Sequence, residues 1–132
     1  MKNMEFKRAF TNAPWEKKVG YCRALKAGPH IFITGTAPVA KDGSVFAPGD
    51  AYQQTKRCFE IIKENLAKFN ANFSHVVRTR MFVTNISRWE EYGRAHQEAF
   101  ADFPPTTSML EIQKLIHPDM LIEIEADAIF ED

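Results

Sequence analysis

The sequence predicts a two-layer α+β domain, a mixed sheet of about six strands with two helices packed on one face. Three observations lead there. The C-terminal run Leu121-Ile-Glu-Ile-Glu-Ala-Asp-Ala-Ile-Phe130 alternates strictly, with Ile122, Ile124, Ala126, Ala128 and Phe130 on one side and Glu123, Glu125 and Asp127 on the other. A period of two is that of a strand with one covered face. Two other segments, one running on from Asp50 and one from Ser87, repeat their apolar residues at three and four, the period of an amphipathic helix. Such helices need a sheet to cover, and both fit on one side of it.

Each element follows in order. Met4 to Phe10 reads as a first strand. Tyr21 to Ala27 and His30 to Thr34 form a hairpin through Ala27-Gly28-Pro29. Gly35 ends the second of these strands, and a polar loop with Lys41-Asp42-Gly43 and Pro48-Gly49 follows. Asp50 then caps a helix, with Gln53 completing a capping box. Its apolar stripe is Ala51, Thr55, Cys58, Phe59, Ile62, Leu66 and Phe69, and Asn70-Ala-Asn72 breaks it. Val76 to Val83 is rich in β-branched residues and reads as a strand. Ser87 and Glu90 form a second capping box, opening a helix whose inner face is Trp89, Tyr92, His96, Ala99 and Phe100. Phe103-Pro-Pro105 stops that helix. Strands from Thr106 to Ile112 and from Met120 to Phe130 close the chain, giving the order β-β-β-α-β-α-β-β.

The sheet face away from the helices has a mixed character. It carries Leu121 and Ile129 beside the three acids, and Val77, Thr79, Met81 and Val83 share one face of their strand. A half-apolar, half-charged face points to burial against other copies of the chain. Arg78 and Arg80 share a face and are the cations expected to meet Glu123, Glu125 or Asp127, in a register that the pattern leaves open.

Composition narrows the function. The 132 residues make one domain, 1–132, long enough for a core. With 17 basic and 17 acidic residues there is no net charge, and Lys7, Arg8, Lys17 and Lys18 are interleaved with Glu5 and Glu16. That balance argues against nucleic acid as a partner. Cys22 and Cys58 have no CxxC spacing, so buried, reduced thiols and a cytoplasmic location are expected. There is no apolar run of membrane-spanning length and no signal-peptide core. His30, His75, His96 and His117 are scattered without metal-ligand spacing, so neither a metal nor another cofactor is expected. His117, in Ile116-His-Pro-Asp119, reads as an exposed loop residue.

Several segments taken together resemble the Rid (YjgF) family, also labelled endoribonuclease L-PSP-like. They are Gly20-Tyr-Cys-Arg-Ala24, Ile33-Thr-Gly-Thr36, Pro48-Gly-Asp50 and Val76-Val-Arg-Thr-Arg-Met-Phe-Val83, then Pro105-Thr-Thr-Ser-Met-Leu-Glu111 and Ile122-Glu-Ile-Glu-Ala126. The resemblance covers nearly the whole chain. It implies a chorismate-mutase-like fold and a homotrimer with three clefts between neighbouring subunits. Members with the best-defined activity hydrolyse imines and enamines such as 2-aminoacrylate to a keto acid and ammonia. That chemistry needs a cation to hold the substrate carboxylate, a second carboxylate to position or deprotonate water, and a dry cleft with backbone donors.

Carried over residue by residue, the match is partial. Glu123 matches the water-positioning carboxylate, Tyr21 a cleft-lining tyrosine and Gly35 a glycine whose backbone approaches the ligand. The substrate-clamping arginine is replaced by Thr107, with Ser108 beside it; a following cysteine becomes Met109, and an asparagine becomes Ser87. A neutral threonine bond gives up about 1–3 kcal/mol relative to an ionic fork. Lys114, Arg23 and Arg78 are the candidate replacement cations. Two functions therefore stay open: a hydrolase of altered specificity with a small-molecule substrate, and a non-catalytic trimer that binds a small metabolite. The endoribonuclease label carried by some members is disfavoured by the zero net charge and the lack of a suggestive histidine pair.

Overall fold

The computed structural model describes residues 4–131. In chain order it contains β1 (Phe6–Ala9), α1 (Pro14–Val19), β2 (Ala24–Ala27), β3 (His30–Thr36) and α2 (Ala51–Ala67). These are followed by β4 (Val76–Val83), α3 (Trp89–Phe100), β5 (Thr106–Glu111) and β6 (Ile122–Ile129), with 3-10 turns at Phe73–His75 and Ile86–Arg88. The six strands form one mixed sheet in the order β1-β2-β3-β6-β4-β5. Pairing is antiparallel except between β4 and β5, which are joined in parallel through α3. Helices α2 and α3 cover one face, as the sequence predicts, and the core between the layers includes Ile31, Ile33, Ile62, Leu66, Met81, Tyr92, Phe100, Ile122 and Ile124. No helix among the described residues is long and apolar enough to cross a membrane.

The cap on α2 forms as expected, the Asp50 carboxylate accepting from the Gln53 N–H at 2.9 Å. The second cap does not. Asn85 accepts from both the Ser87 N–H and its hydroxyl, so Ser87 is held in a 3-10 turn and α3 begins at Trp89 without a side-chain cap. An Asx turn competes with the capping box for the same donors, and here it wins. Trp89, expected on the inner face, is 57% exposed, while Tyr92 and Phe100 are buried.

Helix α1 was not legible as a helix, for a physical reason. Pro14 opens it and Gly20, at φ 90°, ends it, but its one buried side chain is Glu16, with Trp15 and Val19 exposed. Its pattern is the reverse of an apolar stripe. It also displaces the preceding and following strands: β1 is shorter than Met4–Phe10, and β2 begins at Ala24, leaving Tyr21, Cys22 and Arg23 outside the ladder.

A bulge in β4 decides which side chains meet the acids. Val76 pairs with Ala128, but the next partners are Arg78 with Asp127, so Val77 is extruded. In uninterrupted register, Val77, Thr79 and Met81 would share the open face with the acids. The extra residue reverses this. Thr79, Met81 and Val83 are buried under the helices, and Arg78, Arg80 and Phe82 lie on the acidic face. That face is half-apolar as expected, with Phe32, Val77, Leu110 and Ile129 each 42–48% exposed.

Candidate functional site

The three acids of β6 have different fates. Arg78 stands opposite Asp127, Arg80 opposite Glu125 and Phe82 opposite Glu123. The Arg80 guanidinium reaches both neighbours, 3.6 Å from Glu125 and 3.3 Å from Asp127. Arg78 makes no ion pair among the described residues. Glu123, facing a phenylalanine, receives no cation from β4, and among the described residues its carboxylate has neither a hydrogen bond nor an ion pair.

What Glu123 has instead is Gly35. A bulge between Ile33 and Thr36 brings this glycine against the carboxylate, and a Cβ built on Gly35 would lie 2.1 Å from Glu123 Oε1. Burial raises the Glu123 carboxyl above the ordinary carboxylate range; nearby Arg23 pulls it down and Glu125 pushes it up. A half-buried, unpaired carboxyl of this kind suits general-base work on water.

Arg23 braces the same place. Its Nη1 donates to the Gly35 carbonyl at 2.9 Å and its guanidinium lies 3.4 Å from Glu16. Glu16 is itself buried and also accepts from the Thr11 N–H and hydroxyl. The guanidinium carbon sits 5.6 Å from the ring centre of Tyr21. Of the three candidate cations, then, Arg23 alone adjoins Gly35 and Glu123, and its charge is already engaged by Glu16. Lys114 is exposed in the loop after β5. Tyr21 lines a cavity of about 480 Å³ on the open face with Cys22, Phe32, Arg80, Glu125 and Asp127.

The remaining candidates lie elsewhere. Thr107 pairs with Thr79 across the β4–β5 ladder, and Met109 with Met81, so both face the helix layer. Met109 packs against the core. The Thr107 hydroxyl is 2.6 Å from that of Thr79, which is 2.8 Å from His96 Nε2. Ser108 lies beside Arg80 on the open face. Ser87 is exposed and bonded to Asn85. The structure therefore gathers Tyr21, Gly35 and Glu123, and puts Thr107 on the opposite sheet face, on the edge strand two ladders away. His117 is exposed, 4.0 Å from Asp119. Among the described residues no group of three or more His, Cys, Asp or Glu could hold a metal ion. The brace from Arg23 and the contact of His96 with Thr79 had no sequence signal beyond the residue types, because each depends on contacts between elements distant in the chain.

Comparison with known proteins places this geometry. The family model described as endoribonuclease L-PSP matches residues 10–130. An uncharacterized protein of Streptomyces coelicolor is 33% identical over 122 residues, 92% of this chain and 90% of the relative. A RutC family protein of Pyrococcus abyssi is 31% identical over 113 residues, 85% of this chain and 88% of the relative. Among solved structures, a Mycobacterium tuberculosis member of the YjgF/YER057c/UK114 family has a TM-score of 0.86 at 38% identity, covering 95% of this chain and 99% of that one. Yeast Mmf1, at 20% identity and a TM-score of 0.81 over 98% of both chains, shares the fold. The fold, the length matched on both sides and the family match agree, and the chain belongs to the endoribonuclease L-PSP family of YjgF and RutC proteins.

Proposed function

We propose that this protein is a Rid-type hydrolase of small imines or enamines, with a specificity altered by Thr107 in place of the clamping arginine. The observation that carries the reading is the state of Glu123. Its two neighbours on β6 share Arg80, while its own carboxylate is half-buried, unpaired and set against a residue with no side chain. Ionised, Glu123 takes a proton from water as the water oxygen bonds to the imine carbon. The resulting carbinolamine then expels ammonia as its C–N bond breaks, leaving a ketone. Burial helps here, because a carboxylate whose proton affinity is raised is a stronger base for water.

Thr107 and Glu123 lie on opposite faces of one sheet, so a single small ligand touches both only when they come from different copies of the chain. The half-apolar open face supports such an assembly, and a homotrimer with clefts between subunits is the arrangement proposed. A second reading, a non-catalytic trimer that binds a small metabolite, is favoured by one specific observation. The only candidate cation beside Glu123 is Arg23, and Glu16 already engages it.

Incubation with 2-aminoacrylate, generated in place by a serine or threonine dehydratase, separates the two. A hydrolase accelerates keto-acid release at micromolar protein. No acceleration with 2-aminoacrylate or its 2-aminocrotonate homologue removes the deaminase reading and leaves the binding protein.

A further inference from the structure

The contact of Thr107 with Thr79 is one end of a directed chain. Thr79 is fully buried and its hydroxyl has a single proton. With that proton on the Thr107 oxygen, at 2.6 Å, the Thr79 oxygen is left to accept from His96 Nε2–H, at 2.8 Å. The chain then runs outward, and the Thr107 proton points away from Thr79 toward solvent, because Thr107 is exposed on the edge strand. Only a His96 protonated at Nδ1 alone reverses the direction. That nitrogen has no hydrogen-bond partner among the described residues, and the ring is packed by Phe59 and Phe100, with centroids 5.6 and 4.7 Å away. A proton on Nε2 has an acceptor in Thr79; a proton on Nδ1 has none in the protein. Burial holds His96 below the ordinary imidazole range, so at neutral pH it carries one ring proton rather than two.

We propose that His96, acting through Thr79, fixes Thr107 as an outward hydrogen-bond donor, so that the arginine-replaced position takes an oxygen acceptor of the ligand, a carbonyl or carboxylate, through one neutral bond. The inference rests on the reading that Thr107 lines the ligand cleft. His96 and Thr79 are positioning residues, since neither reaches the ligand. The specificity that follows is for oxygen acceptors: an ammonium or amide N–H facing Thr107 meets a donor and is disfavoured.

Two measurements on the full-length protein test this separately. In nitrogen-15 spectra of the imidazoles at neutral pH, His96 is expected as the Nε2–H tautomer; an Nδ1–H tautomer overturns the relay whatever the ligand does. In titrations with 2-oxobutanoate, Thr107→Val is expected to weaken binding about three- to tenfold, the effect of one neutral hydrogen bond. Thr79→Val should do the same within a factor of about two, Thr79→Ser should restore binding, and the double valine variant should be no worse than Thr107→Val alone. Weakening by Thr107→Val with none by Thr79→Val overturns the relay and leaves the cleft standing. Unchanged affinity in Thr107→Val, or no binding by the parent protein, overturns the cleft reading on which the relay rests.

Discussion

Gly35 and Glu123 are packed so closely that a methyl group on residue 35 would fall 2.1 Å from the carboxylate oxygen. The atom in the way is the far end of a flexible side chain, and Gly35 is not among the positive-φ glycines. Gly35→Ala should therefore move the carboxylate rather than break the fold. The expected result is a stability loss of about 1 kcal/mol with a fall in hydrolysis of about a hundredfold, as for a reacting group misplaced by about 1 Å. Thermal unfolding and turnover measured on one preparation check both halves.

Glu123 also makes a prediction about pH. Its carboxyl lies above the ordinary range in the folded protein, chiefly through burial. A group whose folded pKa is raised adds stability below its unfolded value of about 4.3, and that contribution is lost as pH rises through the folded value. Glu123→Gln removes the charge and with it the penalty. The variant should melt higher than the parent at pH 7 and level with it near pH 3.5, as followed by melting temperature against pH.

Arg23 holds the brace under the site. Arg23→Met leaves Glu16 buried with only its Thr11 bonds and frees the Gly35 carbonyl. Removing one partner of a buried ion pair costs about 3–5 kcal/mol, measurable by urea unfolding at pH 7. In the same variant the Glu123 carboxyl should titrate higher still, because the neighbouring charge that pulls it down is gone.

The two cysteines should differ in reactivity. Cys58 is fully buried in α2 and burial pushes its thiol up strongly, whereas Cys22 is half-buried beside the open-face cavity. Native protein treated with a thiol-reactive dye should label one cysteine, Cys22, and the second only on unfolding. Labelling of Cys58 at the rate of Cys22 would contradict the packing of α2 on the sheet.

Much of this architecture was legible because its signals are local. The alternation of Ile122 to Phe130, the Asp50 cap and the stripe from Ala51 to Phe69 each declare themselves within a few residues. What stayed hidden depends on a single inserted residue or on distant contacts. The extrusion of Val77 exchanges the two faces of β4, so that Arg80 reaches the acids and Thr79 goes under the helices. No periodicity reveals a bulge, since a shift of one residue leaves the strand pattern itself unchanged. The same register puts Phe82 opposite Glu123. The sequence could name three acids in need of cations, but which one would go without was decided by that pairing. Helix α1 escaped notice because it buries a charged residue and exposes its tryptophan.

The central claim is that Glu123 activates water, and the dehydratase-coupled assay tests it most directly when run on the parent protein and on Glu123→Gln at pH 8, with light scattering to show that both have the same mass. The account predicts acceleration of keto-acid release by the parent and a rate at least about a hundredfold lower in the variant, the usual contribution of a general base. A Glu123→Gln protein of unchanged mass that releases keto acid at the parent rate would contradict it.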